Sequence, residues 1–323
     1  MTLLHALKSL SRKERLSEEG ARRLTAALLD EGVPELEEGA ILALLEERVD
    51  DMGELKGSSS ALAERCFHLE PPRSGARPVI LPSHAGTLED ANLTALVALS
   101  LQRLNVPVLV HGVLSASRGV VAGQVLRELG VLPCVTLSQA QKELDANRLA
   151  FVPTAVLAPG LAYLLALRSR LGFCGFAERL TRFVDPFCGS SLVVLAASDE
   201  RERAMLRVFA QDTDGAFLLL EAQHGEAFAD PHCRPALELV RNGMCELLFA
   251  AEATPARAVL NGPAAPDARA TAAWIRHVLR GEMPLPLPIV NQVACCLYGT
   301  GYTVDMNQAK AIAAVETGSL LAA

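Results

Sequence analysis

The sequence predicts an α/β protein with an N-terminal helical subdomain and a larger α/β domain built on a mainly parallel central sheet. Residues 3 to about 70 carry apolar side chains at helical spacing, whereas from Pro78 onward short β-branched runs alternate with longer amphipathic stretches. Half of the 323 residues are hydrophobic and only 4% are aromatic, so a large aliphatic core is available. This alternation is typical of a parallel sheet covered by helices.

The helical subdomain is predicted over residues 1–72. Its first helix carries a single apolar face made by Leu3, Leu4, Leu7 and Leu10. The run at 17–20 (Ser-Glu-Glu-Gly) is a plausible cap for a helix over 21–29. Residues 32–34 (Gly-Val-Pro) break the helical pattern, which resumes over 35–47. The Pro-Pro-Arg-Ser-Gly run at 71–75 is interpreted as a linker.

The α/β domain is predicted over residues 73–323. The strand candidates are 79–81, 106–110, 150–152, 191–196, 216–220 and 246–249. The helix candidates are 92–104, 120–129, 201–211 and 267–279, with a further arginine-bearing helical stretch over 161–183.

Composition points to a cytoplasmic protein without membrane association. No stretch approaches ~18 uninterrupted apolar residues, and the charged N-terminus is unlike a signal peptide. None of the eight cysteines forms a Cys-x-x-Cys pair, and Cys295 and Cys296 are adjacent. These features favour reduced core thiols over disulfides or a metal site.

Two loops have the layout of anion-binding sites, in which a strand leads through a polar turn with a glycine into a helix. That layout aims backbone N–H groups at an anion. The first loop follows strand 79–81, and the second follows strand 106–110. The candidate phospholigand-binding residues are Ser83, His84, Gly86, Thr87, Asn92, Thr94, His111, Gly112, Ser115 and Ser117.

Each loop also has a purely structural interpretation. Asp90 or Asn92 is a plausible N-cap, with Thr94 as a small residue early in the helix. His111 is placed just past its strand, where it either contacts a phosphate or a base or forms a hydrogen bond to a neighbouring loop. Both interpretations stay open at the level of sequence.

The two loops resemble those of anthranilate phosphoribosyltransferase and its glycosyltransferase family 3 relatives. Those enzymes carry Gly-Thr-Gly-Gly-Asp and Asn-Ile-Ser-Thr in the first loop, and Lys-His-Gly-Asn with a serine-rich stretch in the second. This sequence keeps Asn92, Thr94, His111, Gly112, Ser115 and Ser117. It has Ser-His-Ala-Gly at 83–86 instead of the glycine-rich loop, Val110 instead of the lysine and Val113 instead of the asparagine.

The resemblance extends over nearly the whole chain to a nucleic-acid-binding branch of the family outside the tryptophan pathway. It includes residues 32–37, 108–112 and the Ala-Cys-Cys-Leu run at 294–297. It implies a phosphoribosyltransferase/nucleoside phosphorylase-like fold in which about 161–187 joins the helical subdomain. It also implies a homodimer formed through that subdomain.

The groups that the family uses for magnesium and for its acceptor are missing. Matched on Gly225, the Asp-Glu pair of the family falls on Ala227 and Phe228, and Glu226 and Asp230 are interpreted as solvated loop charges. The arginine that holds the acceptor carboxylate falls on Cys174, and a neutral thiol cannot replace a guanidinium.

These losses predict a catalytically degenerate homologue with no catalytic residue, no resident metal and no cofactor. In this hypothesis the protein binds nucleic acid or another phosphorylated ligand. The alternative is an active family 3 enzyme that uses magnesium and transfers a phosphoribosyl group to another acceptor.

The net charge of −7 requires any nucleic-acid surface to be local. The candidate contacts form an N-terminal cluster of Lys8, Arg12, Lys13 and Arg15, followed by Arg22 and Arg23, and a second cluster of Arg168, Arg170, Arg179 and Arg182, opposed only by Glu178. A dimer would double both clusters, giving sequence-independent, salt-sensitive binding to single-stranded DNA or RNA. Alternatively, the arginines form a solvated helix face or pair with nearby acids.

Overall fold

A computed structural model of the chain describes residues 3–48, 51–73, 75–116, 119–173, 175–222, 225–252, 263 and 266–316. The chain divides into two compact units. The first consists of Met1–His68 and Thr154–Pro186, and the second of Leu69–Pro153 and Phe187–Ala323. Each unit is therefore assembled from two separate parts of the sequence.

Helices and strands follow one another in this order: α1 (Leu3–Ser11), α2 (Glu18–Leu29), α3 (Glu35–Glu46), α4 (Met52–Ala63), β1 (Val79–Ser83), α5 (Thr94–Arg103), β2 (Val108–Gly112), α6 (Ala122–Glu128), α7 (Leu137–Asn147), β3 (Leu149–Pro153), α8 (Thr154–Leu157), α9 (Pro159–Ala166), α10 (Arg168–Leu171), α11 (Gly175–Thr181), β4 (Leu192–Ala197), α12 (Glu200–Gln211), β5 (Ala216–Glu221), β6 (Leu237–Arg241), β7 (Met244–Phe249), α13 (Ala268–Leu279), α14 (Leu287–Gly299) and α15 (Met306–Glu316). None of the helices in the described ranges is long and apolar enough to cross a membrane.

The first unit is helical, as the sequence predicts. Ser17 is the N-cap of α2, and its side chain accepts a hydrogen bond from the Gly20 N–H at 3.1 Å. Pro34 directly precedes α3, where it ends the break predicted at 32–34. Helices α2 and α4 approach so closely at Gly57 that a Cβ atom there would lie 2.1 Å from the Glu18 carbonyl oxygen.

The second unit is built on a seven-stranded sheet of order β3-β2-β1-β4-β5-β6-β7. The strands from β3 to β5 are parallel, and β6 and β7 extend the sheet antiparallel to β5. The predicted mainly parallel sheet is therefore confirmed. Ser83 is in register with Gly112, so β1 and β2 end side by side.

The main core of the second unit lies on one face of this sheet. Val79, Leu81 and Val110 pack there with apolar side chains of α5, α6, α13 and α14. Because side chains alternate along a strand, Ser83 follows Val79 and Leu81 on the same face. The last side chain of β1 therefore points toward the helices rather than away from them.

Six predicted strands are present, with shifted ends. His111 and Gly112 are the last two residues of β2, whereas the sequence analysis placed them just past the strand. Strand β6 and helices α7, α14 and α15 were not predicted. In α14 nearly every side chain is buried, including the free thiols of Cys295 and Cys296, so it has no amphipathic period to detect.

We expect Gly57→Ala to lower the free energy of unfolding by about 2 kcal/mol, because overpacking against a backbone atom outweighs the roughly 1 kcal/mol by which alanine improves a helix. Thermal and urea unfolding measure the change. The matched control is Gly39→Ala in α3, whose added Cβ would meet only Leu171, at 3.9 Å. Equal stability of the two variants would contradict the close α2–α4 contact.

Candidate functional site

The first predicted loop converges on one carboxylate, that of Glu226. Its Oε2 accepts hydrogen bonds from Ser83 Oγ at 2.6 Å and from Asn92 Nδ2 at 2.8 Å. Its Oε1 accepts bonds from the backbone N–H groups of His84 at 3.0 Å and Gly86 at 2.9 Å. The donors that the sequence assigned to a phosphorylated ligand are thus used by a side chain of the same chain.

Glu226 is fully buried, with 0% of its surface exposed. Its interpretation as a solvated loop charge is therefore wrong. Within the described part of the chain no cation forms an ion pair with it, and neutral dipoles alone stabilise its charge. A buried carboxylate needs such donors, because an unsatisfied buried charge is strongly destabilising.

Separate hydrogen bonds hold the side-chain donors in place. Asn92 Oδ1 accepts the Thr94 N–H at 3.1 Å, and Asn92 Nδ2 also donates to the Val120 carbonyl at 3.0 Å. Ser83 Oγ accepts the Ala122 N–H at 2.9 Å. Asn92 therefore accepts the N–H of the first residue of α5 and donates to Glu226, whereas its predicted contact with a phosphorylated ligand stays a prediction.

The segment that carries Glu226 is fixed from the other side by Gln292 of α14. Gln292 Nε2 donates to the Ala227 carbonyl at 2.9 Å, and Gln292 Oε1 accepts the Ala229 N–H at 2.7 Å. The Gln292 side chain is itself fully buried. The position of Glu226 is thus determined by backbone contacts as well as by its own carboxylate.

Burial raises the pKa of Glu226 above the ordinary 4.5 of a glutamate. The hydrogen bonds from Ser83, Gly86, Asn92 and His84 lower it, since they stabilise the charged form. Loss of solvation is the larger effect. The carboxylate is therefore held at an energetic cost, although each of its oxygens has two donors.

The second predicted loop does not join this carboxylate. Gly112 is required where β2 ends, because a Cβ atom there would lie 1.6 Å from the Ser83 carbonyl oxygen. His111 is fully buried, and neither ring nitrogen has a hydrogen-bond partner among the described residues. The predicted hydrogen bond from His111 to a neighbouring loop is thus absent among the described residues, and its contact with a phosphate or a base stays a prediction. Burial lowers its pKa to about 3, so the ring is neutral at physiological pH.

The remaining loop candidates divide by burial. Thr87 and Thr94 are fully buried, and in the described part of the protein their hydroxyl groups have no hydrogen-bond partner. Ser115 is exposed, and Ser117 lies outside the described residues. Val110, which replaces the lysine of the resembled family, is fully buried in the core.

The residues present do not fit a magnesium ion. Ala227 and Phe228, at the positions matched to the Asp-Glu pair, are buried and apolar. Both Glu226 oxygens are already occupied, and Asp230 accepts the His232 N–H at 2.7 Å. No group of three or more His, Cys, Asp or Glu side chains in the described ranges is arranged to hold a metal. Cys174, matched to the acceptor arginine, lies outside those ranges.

The second basic cluster is largely neutralised. Arg168 pairs with Glu178 at 2.6 Å, and Arg170 pairs with Glu35 of α3. The prediction that Glu178 alone opposes this cluster is therefore wrong, because folding adds a carboxylate from another helix. Arg179 donates to the Leu45 carbonyl at 3.1 Å, and Arg182 is buried, with 6% of its surface exposed.

The N-terminal basic cluster keeps more of its charge. Arg12 and Arg15 have side chains 70% and 81% exposed, with Glu14 at 3.8 Å and Asp51 at 3.0 Å as their respective partners. Lys8 and Lys13 are exposed and have no carboxylate partner in the part of the chain that the structure describes. By contrast, Arg22 and Arg23 both pair with Glu19, at 2.8 and 2.5 Å.

Comparison with known proteins identifies a relative of this chain. The uncharacterized Escherichia coli K12 protein YbiB is 33% identical over 288 residues, covering 88% of this chain and 89% of YbiB. The chain belongs to the same family as YbiB. No protein-family profile matches it.

Solved structures of anthranilate phosphoribosyltransferases share the fold of this chain. Anthranilate phosphoribosyltransferase from Thermus thermophilus is 20% identical, with a TM-score of 0.77 over 97% of this chain and 94% of that one. The Saccharomyces cerevisiae enzyme in complex with PRPP and Mg is 14% identical, with a TM-score of 0.72 over 98% and 93%. At these identities the likeness extends to the fold alone.

Two residues of this family member were underrated or missed in the sequence. Glu226 directly follows Gly225 and precedes the two positions matched to the Asp-Glu pair of the family, so its sequence context does not indicate a buried carboxylate. Gln292 was not noticed, although a glutamine inside the apolar helix α14 is itself a signal, since buried amides need partners.

The raised pKa of Glu226 predicts a specific pH dependence. A group with a raised folded-state pKa contributes stability that is complete below pH 4.5 and is lost as the pH rises through the folded-state pKa. Across this interval we expect the unfolding free energy of the wild type, relative to Glu226→Gln, to fall by about 1.4 kcal/mol per pH unit.

Urea unfolding at several pH values between about 4.5 and 7.5 measures this difference. The matched control is Glu89→Gln, which removes an exposed carboxylate from the loop after β1 that surrounds Glu226. If Glu226→Gln and Glu89→Gln have the same pH dependence, the burial of the Glu226 charge is contradicted.

Proposed function

We propose that this protein is a catalytically degenerate member of the anthranilate phosphoribosyltransferase-like family that acts as a dimeric, sequence-independent binding protein for single-stranded nucleic acid. One observation carries the loss of catalysis. The donors of the first loop, where a diphosphate would be expected to bind, are already satisfied by the buried carboxylate of Glu226.

A diphosphate donor would have to displace this carboxylate. It would meet no lysine at Val110 and no carboxylate pair at Ala227 and Phe228 to hold a neutralising metal. Two negative groups cannot share one set of donors without strong repulsion in a low-dielectric interior. The same argument disfavours binding of a phosphorylated ligand at this loop. Of the two ligand classes predicted from the sequence, it therefore favours nucleic acid bound elsewhere on the protein.

The nucleic-acid proposal is supported by the N-terminal cluster rather than by the arginines of α10 and α11. Between residues 8 and 15 the chain has four cations and one acid, and the cations are exposed. Exposed, weakly paired lysine and arginine side chains can contact phosphates and release counterions. An arginine that already pairs with glutamate gains less from a phosphate, because its own ion pair must first break.

A dimer formed through the helical unit supports the same function, because it would present two copies of this cluster. The unit exposes large apolar side chains, among them Leu4 of α1 and Leu36 of α3, with 62% and 84% of their surfaces accessible. Burial of these side chains against a second copy would contribute favourably to association, because apolar surface would leave water.

Charge reversal tests the nucleic-acid surface. We expect Lys8→Glu/Lys13→Glu to weaken binding of a labelled single-stranded oligonucleotide about tenfold, and to reduce the slope of log affinity against log salt by about 1.4, since each lost contact with single-stranded phosphate contributes about 0.7. Fluorescence anisotropy at two or more salt concentrations measures both quantities.

Two further double variants serve as controls for that titration. Lys142→Glu/Arg201→Glu makes the same change in net charge in the second unit and should leave the salt slope unaltered. Arg168→Glu/Arg170→Glu should have the smaller effect, because both arginines are paired. Failure of the wild type to bind at low salt would refute the nucleic-acid function.

A second candidate, an active phosphoribosyltransferase, is favoured by the fold shared with the yeast enzyme solved with PRPP and Mg. Under the proposed function, PRPP with magnesium leaves the melting temperature of this protein unchanged. A magnesium-dependent rise of several degrees that is abolished in Asn92→Ala would instead support the enzyme.

A further inference from the structure

The donors around Glu226 form a complete anion site that has a ligand from within the chain. We propose that Glu226 is the resident ligand of a small-anion site, and that the site accepts a carboxylate or another small oxyanion from solvent once the Glu226 side chain is removed. This goes beyond the proposed function and is independent of nucleic-acid binding, because every residue involved lies in the second unit.

The donors are arranged without the help of Glu226. Two of them are backbone N–H groups, of His84 and Gly86, whose directions are set by the turn at the end of β1. Gly86 has a φ of 77°, a left-handed conformation that glycine adopts without strain and that aims its N–H at the carboxylate.

The other two donors are side chains that make further hydrogen bonds of their own. Asn92 is held by the Thr94 N–H and the Val120 carbonyl, and Ser83 by the Ala122 N–H. Removal of the carboxylate therefore leaves four donors that still converge. Convergent, fixed donors are what an external anion requires.

The backbone that carries Glu226 is also held independently. Gln292 binds Ala227 and Ala229 on either side of Phe228, and Phe228 is itself buried in the core. Truncation of the glutamate side chain should therefore create a cavity rather than let the segment collapse into the loop. Its polar lining favours an occupant that accepts hydrogen bonds.

The pattern of donors selects the chemistry of that occupant. Each Glu226 oxygen accepts two hydrogen bonds, and all four groups can donate. A neutral amide has only one acceptor oxygen, and its own NH₂ group would face donors of the site. Formate and acetate reproduce the arrangement, whereas inorganic phosphate offers similar pairs of oxygens in a larger, tetrahedral ion.

Chemical rescue of Glu226→Ala tests the proposal. We expect this variant to melt several degrees below the wild type, because four buried donors lose their acceptor. Sodium formate or acetate at about ten times its dissociation constant should then raise the melting temperature by about 3–5 °C relative to sodium chloride of equal ionic strength. The wild type should not respond, since its site is filled.

The matched control is Leu218→Ala, which opens an apolar cavity in the same unit and should not distinguish formate from chloride. An equal response of Glu226→Ala and Leu218→Ala would overturn the proposal. A response to phosphate as well as formate would extend the ligand class to tetrahedral oxyanions, and a response to carboxylates alone would limit it.

If Glu226→Ala is unfolded without an anion, its refolding is measured with and without formate. Recovery of folded protein only when formate is present would support the site. Failure to refold with every anion would overturn it, because the donors would then be unable to hold an external ligand. Neither result affects the oligonucleotide titration of the N-terminal cluster, so the two proposals fail separately.

Discussion

The buried carboxylate of Glu226 is the interaction on which the functional region of this protein depends. It lies 143 residues from Ser83 along the chain, yet it joins the end of β1, the following loop and the start of α5 into one hydrogen-bonded unit. An uncompensated buried charge is tolerated only where fixed dipoles surround it. Here the dipoles are those that the strand-loop-helix layout would otherwise offer to a phosphate. The same local architecture therefore binds a side chain of the chain itself.

Membership in the family does not by itself determine the chemistry of the site, because a fold fixes the positions of groups but not their identity. The strands still end side by side, and Gly112 still lets β2 approach Ser83. What has changed is the chemical character of a few side chains at those positions. Valine replaces a cation, buried apolar residues stand at the matched metal positions, and an internal glutamate uses the donors. Under the proposed function these differences reinforce one another, since a site without a cation or metal has little to attract a diphosphate.

In the helical unit, folding pairs charged side chains that lie far apart in the sequence. The four arginines of residues 168–182 look like a basic surface in the sequence, but two pair with glutamates and one is buried. One of the pairing acids, Glu35, is 135 residues away from its arginine. In the N-terminal cluster Lys8 and Lys13 are exposed and have no carboxylate partner among the described residues, so more of its charge remains unpaired. With a total charge of −7, such local differences decide whether phosphate can approach.

The sequence by itself determined the fold class, six of the strands and the position of the two loops, because hydrophobic periodicity and turn residues are local signals. It also located all four residues that donate hydrogen bonds to the Glu226 carboxylate. It could not identify their ligand, since Glu226 looks like an ordinary loop acid until the region after β5 folds against the loop after β1. Nor could it find Gln292, whose amide matters only through backbone groups about 65 residues away. Tertiary structure decided what occupies the site, because burial and hydrogen-bond satisfaction depend on contacts between distant parts of the chain.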